Sequence, residues 1–282
     1  MSYFFDFRAS DRGGLLASDI TLWDDASPLT PEQFAGQVNG KDVLFAVHGF
    51  NVDRQEGIAA LGNWEPALTL NGAVYVGVLW PGDSSWLHGL DYPIEGGEAV
   101  ATAKMLAAFA NKWLTGTLSL SFVSHSLGAR VVLETVRLLQ RRTRRVLMMA
   151  GAVNDDCLLA DYAAAAAKID AISVLASRQD EVLEIAFPAG NFLAGIFEQG
   201  VPYWHAALGR EGPYPAAPSN LSAEWQIPDA WNFGHGSYLP GAAISPPPLA
   251  PPLPFPPSPP ADPAPPASTA KWTGGWASTQ FA

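Results

Sequence analysis

Leu120-Ser121-Phe122-Val123-Ser124-His125-Ser126-Leu127-Gly128-Ala129-Arg130 is the stretch on which the fold turns. An apolar run stops at Ser-His-Ser-Leu-Gly, and Val131, Val132, Leu133, Val136 and Leu139 follow at once at helical spacing. The pattern reads as strand, sharp turn, helix. A turn of this kind holds a serine clear of the sheet, as in the nucleophile-elbow pattern Gly-x-Ser-x-Gly. Ser124 stands at the first glycine position and Gly128 at the last. Both have to be small, because strand and helix backbones pass closely there.

The flanking sequence repeats the strand–helix theme. Asp42 to Val47 is a continuous apolar run suited to a central parallel strand, and it ends in His48-Gly49-Phe50-Asn51. Ala73 to Trp80 reads as a second buried strand, stopped by Pro81-Gly82, and Val146 to Val153 and Ile169 to Ala176 read as two more. Helices are expected over 53–70, from Glu95 to Leu114, from the elbow to about Gln140, and over the alanine-rich Asp155 to Lys168. Tyr3 to Phe7 and Leu15 to Trp23 read as short scaffold strands at a sheet edge. Strands alternating with helices at this spacing predict an α/β chain with a doubly wound, mostly parallel sheet.

Two regions depart from that rhythm. Residues 188–234 are irregular and aromatic-rich, and are expected as a lid or site wall. From Pro246 to Pro266, 13 of 21 residues are proline, which excludes helix and central strand and predicts an extended, disordered tail. The expected organisation is one catalytic domain over 1–245 and a Pro-rich flexible tail over 246–282.

Composition narrows the classes of function. A chain of 282 residues, 48% hydrophobic, can bury one large core. A formal net charge of −11 argues against nucleic-acid partners and anionic membrane surfaces, which call for a basic field. The single cysteine, Cys157, leaves no intrachain disulfide. Met1 to Arg8 lacks a positive segment followed by an apolar core, and no run is long enough to span a membrane, so the expected location is the cytoplasm. Arg137, Arg141, Arg142, Arg144 and Arg145 read as a basic helix C-terminus that complements the macrodipole.

A serine hydroxyl is a weak nucleophile until a base takes its proton, and that base needs an acid to fix its tautomer. On an elbow fold these follow in the order Ser, Asp or Glu, His, each after a strand. Ser126, Asp180 and His235 satisfy that order. Asp155 and Asp156 are rival acids, and His205 and His88 rival bases. Asp180 could also serve only as a helix N-cap. Glycines on both sides of His235 are expected to let its loop approach the site. The oxyanion hole needs two backbone N–H donors, here assigned to Leu127 and Phe50. Trp80, Trp86, Phe192, Phe197 and Trp204 are candidate substrate-binding residues. His48 is expected to be structural, and His125 to be buried beside the elbow or to line the site while pointing away from the work of Ser126. No His, Cys or carboxylate spacing suggests a metal site.

With these residues in place, the chain resembles the α/β-hydrolases. More narrowly it resembles a bacterial branch of uncharacterised serine hydrolases with a His-Gly-(Phe/Tyr)-Asn oxyanion loop, a Trp-Pro turn and a late His-x-Ser-Tyr-like segment. These stand here as His48-Gly49-Phe50-Asn51, Trp80-Pro81 and His235-Gly236-Ser237-Tyr238, and the likeness covers about residues 42–240. It implies the α/β-hydrolase fold with ester hydrolysis as the usual activity; a small-molecule ester is the expected substrate, and no cofactor is expected. It also implies Ser126 as nucleophile, Asp180 as acid and His235 as base. The helix that follows the histidine in that family is missing or short here, because prolines begin at 246. A lipase or acyltransferase on the same triad is the nearest alternative. A non-catalytic scaffold whose Pro-rich tail recruits aromatic-grooved partners is the alternative of another class.

Overall fold

A computed structural model of the chain describes residues 2–24, 27–68, 70–83, 92–184 and 205–239. The strands are β1 (Tyr3–Arg8), β2 (Leu16–Asp24), β3 (Ser27–Leu29), β4 (Asp42–Val47), β5 (Val74–Leu79), β6 (Ser119–His125), β7 (Thr143–Met149), β8 (Ile169–Ala176) and β9 (Leu221–Gln226). They form one sheet in the order β3-β2-β1-β5-β4-β6-β7-β8-β9. Every pair from β1 to β9 is parallel, and only the β1–β2–β3 meander is antiparallel. The parallel strands read as near-continuous apolar runs because helices cover both faces.

The longer helices are α1 (Pro31–Val38), α2 (Arg54–Trp64), α3 (Tyr92–Trp113) and α4 (Gly128–Leu138). Sequence sets their starts. Thr30 and Gln33 form a capping box on α1, with Pro31 in the first turn, and Asp53 and Glu56 form another on α2. The two faces of β1 show how the layers are built. Phe5 meets Phe34 of α1 and Phe109 of α3, both at 4.9 Å. On the other face, a Cβ added to Gly77 would touch the ring of Phe4 and Leu61 of α2. Successive residues of one strand therefore pack against different helices, as a doubly wound sheet requires.

Strand order places the site. From β4 the chain passes through α2 to β5 on one side; from β6 it passes through α4 to β7 on the other. The loops after β4 and β6 diverge, and ligands of open α/β sheets bind in the crevice between such loops. His48-Gly49-Phe50 leaves β4 there, and Ser126 leaves β6.

Three expectations change. Asp155 to Lys168 is not a helix but a run of turns with helix only at Ala163–Ala166. Alanines supply propensity there, but no amphipathic stripe organises them. The stretch read as irregular contains β9, which extends the parallel sheet beside β8, and a short helix at Leu208–Glu211. Its late aromatics Trp231 and Phe233 are buried in the core, so this part is scaffold and not a wall.

Candidate active site

Ser126 sits at φ 52°, in the left-handed region that non-glycine residues seldom occupy, at a strain of about 1–3 kcal/mol. The surroundings hold it there. Its N–H donates to Met149 O of β7 (3.0 Å), and its carbonyl accepts from Ala129 and Ala152 N–H (3.1 Å each). A Cβ on Gly128 would stand 2.6 Å from His48 O and 2.8 Å from Val47 O, so α4 can start so close to β4 only with glycine there. Ser124 is fully buried and fits, although its hydroxyl has no hydrogen-bond partner among the described residues.

His235 and Asp180 converge on Ser126 from over 50 residues downstream. His235 Nε2 lies 2.9 Å from Ser126 Oγ, and Nδ1 lies 2.8 Å from Asp180 Oδ2. A carboxylate only accepts, so Nδ1 carries the proton and Nε2 is free to accept from Ser126. Asp180 is completely buried, and its other oxygen accepts from Leu183 N–H at 2.9 Å. One carboxylate thus caps the helical residues 181–184 and also hydrogen-bonds His235, so the N-cap does not exclude the pairing with His235. Ser177 Oγ donates to Phe233 O (2.6 Å) and fixes the approach to His235. Gly234 and Gly236 are not sites of close approach. Among the described residues only Ser237 Oγ comes within 4 Å of a Cβ at Gly234, none does at Gly236, and neither glycine has a positive φ.

The loop after β4 packs tightly on the elbow: a Cβ on Gly49 would stand 3.0 Å from both Ser126 Cβ and His125 Nδ1. That closeness brings the neighbouring Phe50 beside Ser126. Among the described residues, neither Phe50 N–H nor Leu127 N–H has an acceptor. Trp80 stabilises this loop from beneath. Its indole N–H donates to His48 O (2.8 Å), its backbone N–H donates to His48 Nε2 (3.2 Å), and the two rings stack. His48 Nδ1–H then donates to Gly49 O (2.8 Å). Burial, with the nearby Arg8 cation, keeps His48 neutral and lowers its pKa to about 4. Arg8 donates to Trp80 O (2.8 Å) and Val52 O (3.1 Å) and pairs with Asp83. Trp80 is 0% exposed, so it is no substrate contact; an aromatic beside a proline here is a buttress.

A cavity of ≈ 420 Å³ opens beside Ser126, His235, Leu127 and Phe50. Its wall is mostly apolar and includes Ala60, Leu61 and Trp64 of α2, with Leu183 and Leu239. The α2 contribution was missed in the sequence, where that helix carries no motif. His125 lines the cavity beside the elbow, as one of its two expected placements has it, but its reach back to the His235 main chain has no signal in the sequence. Trp86, Phe192, Phe197 and Trp204, like the rival base His88, lie outside the described residues. The other rivals pair with each other: His205 Nδ1 is 3.0 Å from Asp155 and 3.7 Å from Asp156. These three offer ligand atoms within 4.8 Å of one another, so a cation could be held there, which spacing in sequence does not suggest. Cys157 is buried with its thiol pKa pushed up by desolvation and by Asp156, Asp161 and Asp155, and it is unreactive as a thiolate. No helix of the described residues is long and apolar enough to cross a membrane.

Residues 31–191, more than half of the chain, match the family described as alpha/beta hydrolase of unknown function (DUF900). The chain belongs to that α/β-hydrolase family. Comparison with curated proteins gives no match. Among solved structures it is similar to an extracellular alpha/beta-hydrolase from a Paenibacillus species, with 12% identity over 39% of this chain and 40% of that one (TM-score 0.26). It is similar to a lipase-esterase related protein from Clostridium acetobutylicum ATCC 824, with 18% identity over 43% and 46% (TM-score 0.28). It is also similar to acetyl xylan esterase 1 from Thermoanaerobacterium sp. JW/SL YS485, with 12% identity over 83% and 82% (TM-score 0.37). The chain spans less than half the length of the first two.

Proposed function

We propose that this α/β-hydrolase cleaves carboxylic esters through an acyl-enzyme on Ser126. The observation that carries this reading is the unbroken pair of hydrogen bonds from Ser126 Oγ to His235 Nε2 (2.9 Å) and from His235 Nδ1 to Asp180 Oδ2 (2.8 Å). Ser126 Oγ attacks the acyl carbonyl carbon while His235 Nε2 takes its proton, and the buried Asp180 carboxylate stabilises the imidazolium. Leu127 and Phe50 N–H donate to the oxyanion. The intermediate collapses, the bond to the alcohol oxygen breaks, and His235 returns the proton to that oxygen. Water, deprotonated by His235, then attacks the acyl carbon; collapse releases the acid and restores the Ser126 hydroxyl. The apolar cavity walls suit an uncharged acyl group, whose burial contributes about 25 cal/mol per Å².

The test pairs turnover with covalent labelling. The purified chain should hydrolyse short p-nitrophenyl esters and be labelled by a fluorophosphonate probe. Ser126→Ala should lose labelling and about 10⁴–10⁶-fold in kcat. A wild-type chain that neither hydrolyses nor labels would refute the proposal.

A further inference from the structure

We infer that His125 is a positioning residue for the base: a hydrogen bond from its Nε2 to the His235 carbonyl sets the His235 ring between Ser126 and Asp180. The inference rests on the proposed roles of Ser126, His235 and Asp180 and adds a residue that those roles do not use.

The segment around His235 is poorly equipped to hold itself. It forms only a four-residue 3-10 turn, His235–Tyr238, and a Cβ at Gly236 would meet nothing within 4 Å among the described residues. External anchors therefore decide where the ring lies. Ser177 Oγ holds the backbone two residues earlier, at Phe233 O, and Asp180 holds the far nitrogen of the His235 side chain. His125 grips the main chain of His235 itself from outside the turn, with Nε2 2.8 Å from the carbonyl oxygen.

Its chemistry fits that task. A carbonyl oxygen only accepts, so Nε2 of His125 carries the proton. His125 is 6% exposed, and desolvation with the neighbouring His235 and His48 lowers its pKa to about 3, so its ring stays neutral at ordinary pH. The rings of His235 and Tyr238 lie over it, with centroids at 4.8 and 6.1 Å. His125 is the residue before Ser126 on the end of β6, so one strand end fixes both partners of the proton transfer. That coupling matters because a misplacement of about 1 Å in a reacting pair can cost about 10²-fold in rate.

The experiment compares His125→Leu, His125→Gln and His125→Asn in the full chain. Leucine fills the space without a donor. The glutamine amide can present an N–H at the reach of Nε2, and the asparagine amide is too short. We expect His125→Leu and His125→Asn to lose about 10–100-fold in kcat on p-nitrophenyl butyrate, with KM changed less than about 3-fold. Fluorophosphonate labelling of Ser126 should slow by the same factor, and His125→Gln should recover most of both. The far-downfield proton resonance of His235 Nδ1–H should be sharp in the wild type and in His125→Gln and lost in the other two. A wild-type rate in His125→Leu overturns the inference. So do equal rates in the Gln and Asn variants, a comparison that stands if the Leu variant fails to fold. Absence of labelling in the wild type overturns the site reading beneath it, a result distinct from a labelled wild type with an unimpaired His125→Leu.

Discussion

Gly49→Ala probes the proposed oxyanion loop with a single methyl group. The added Cβ would stand 3.0 Å from Ser126 Cβ, 3.0 Å from His125 Nδ1 and 3.4 Å from His125 O. Comfortable contacts between such atoms begin near about 3.5 Å, so the methyl has to recede by roughly half an ångström. The elbow cannot yield, because Ser126 is tied through its N–H to Met149 O and through its carbonyl to Ala152. His125 is tied to the His235 carbonyl. The loop itself has to retreat, and Phe50 N–H retreats with it. Removal of one oxyanion donor costs about 10²–10³-fold in kcat, and a partial displacement should cost about 10–100-fold. KM should change little, because the donor acts on the developing charge. Overpacking should cost about 1–3 kcal/mol and lower Tm by several degrees. Steady-state kinetics on p-nitrophenyl acetate with parallel thermal melts would measure both. A variant with lowered Tm but kcat within twofold of wild type would show that the loop after β4 supplies no donor.

Three further tests are independent of that loop. Asp180→Asn should lower kcat by about 10⁴-fold with Tm near wild type, because an asparagine oxygen still caps Leu183 but no longer fixes the His235 tautomer; Asp155→Asn should stay within a few fold, and the reverse pattern would make Asp155 the acid. Trp80→Phe strips the donor from the buried His48 carbonyl and should cost about 1–3 kcal/mol while leaving the preference between short and long p-nitrophenyl esters unchanged; an altered preference would return Trp80 to the substrate wall. His48 and His125 remain neutral in the folded chain down to about pH 4 and about pH 3, against 6.5 when unfolded. The unfolded chain therefore binds more protons between about pH 6 and 4, and stability falls as pH falls, by up to about 3 kcal/mol per pH unit from the pair. Neither contributes a slope above about pH 7. Urea titrations with no loss of stability between pH 6 and 5 would contradict this.

The central strands were legible because burial on both faces leaves a near-continuous apolar run, unbroken in Val43–Val47 and interrupted only by Asp170 and Ser173 in Ile169–Ala176. The elbow was legible because its steric demands fall within five consecutive residues. β9 was not, because Leu221–Gln226 mixes Ser, Glu and Gln into a short strand that, among the described residues, only its neighbour β8 pairs with. Asp155 to Lys168 misled because alanine propensity was read without a packing face. Chain order was enough to name Ser126, Asp180 and His235, which lie within hydrogen-bond reach of one another, but not the contacts that hold them. The bond from His125 to His235 spans 110 positions, and that from Trp80 to His48 spans 32. No local pattern carries such pairs, and an aromatic read as a wall proved to be a foundation.

The first strand has an implication for how the chain is made. Tyr3–Arg8 is buried throughout and can pair with β2 soon after synthesis, but its other edge waits for Val76 to Leu79. Until those residues leave the ribosome, a hairpin bearing Phe4, Phe5 and Phe7 has one open edge, the kind of segment that recruits other nascent chains. Asp6 and Arg8 interrupt it with charge, as gatekeeper residues do. Their neutralising partners arrive later, Arg54 for Asp6 (2.6 Å) and Asp83 for Arg8. Arg8 then turns from solubiliser to clamp, holding the Val52 and Trp80 carbonyls beneath the loop that carries Phe50. Translation order thereby protects the strand first and completes the floor of the loop after β4 last.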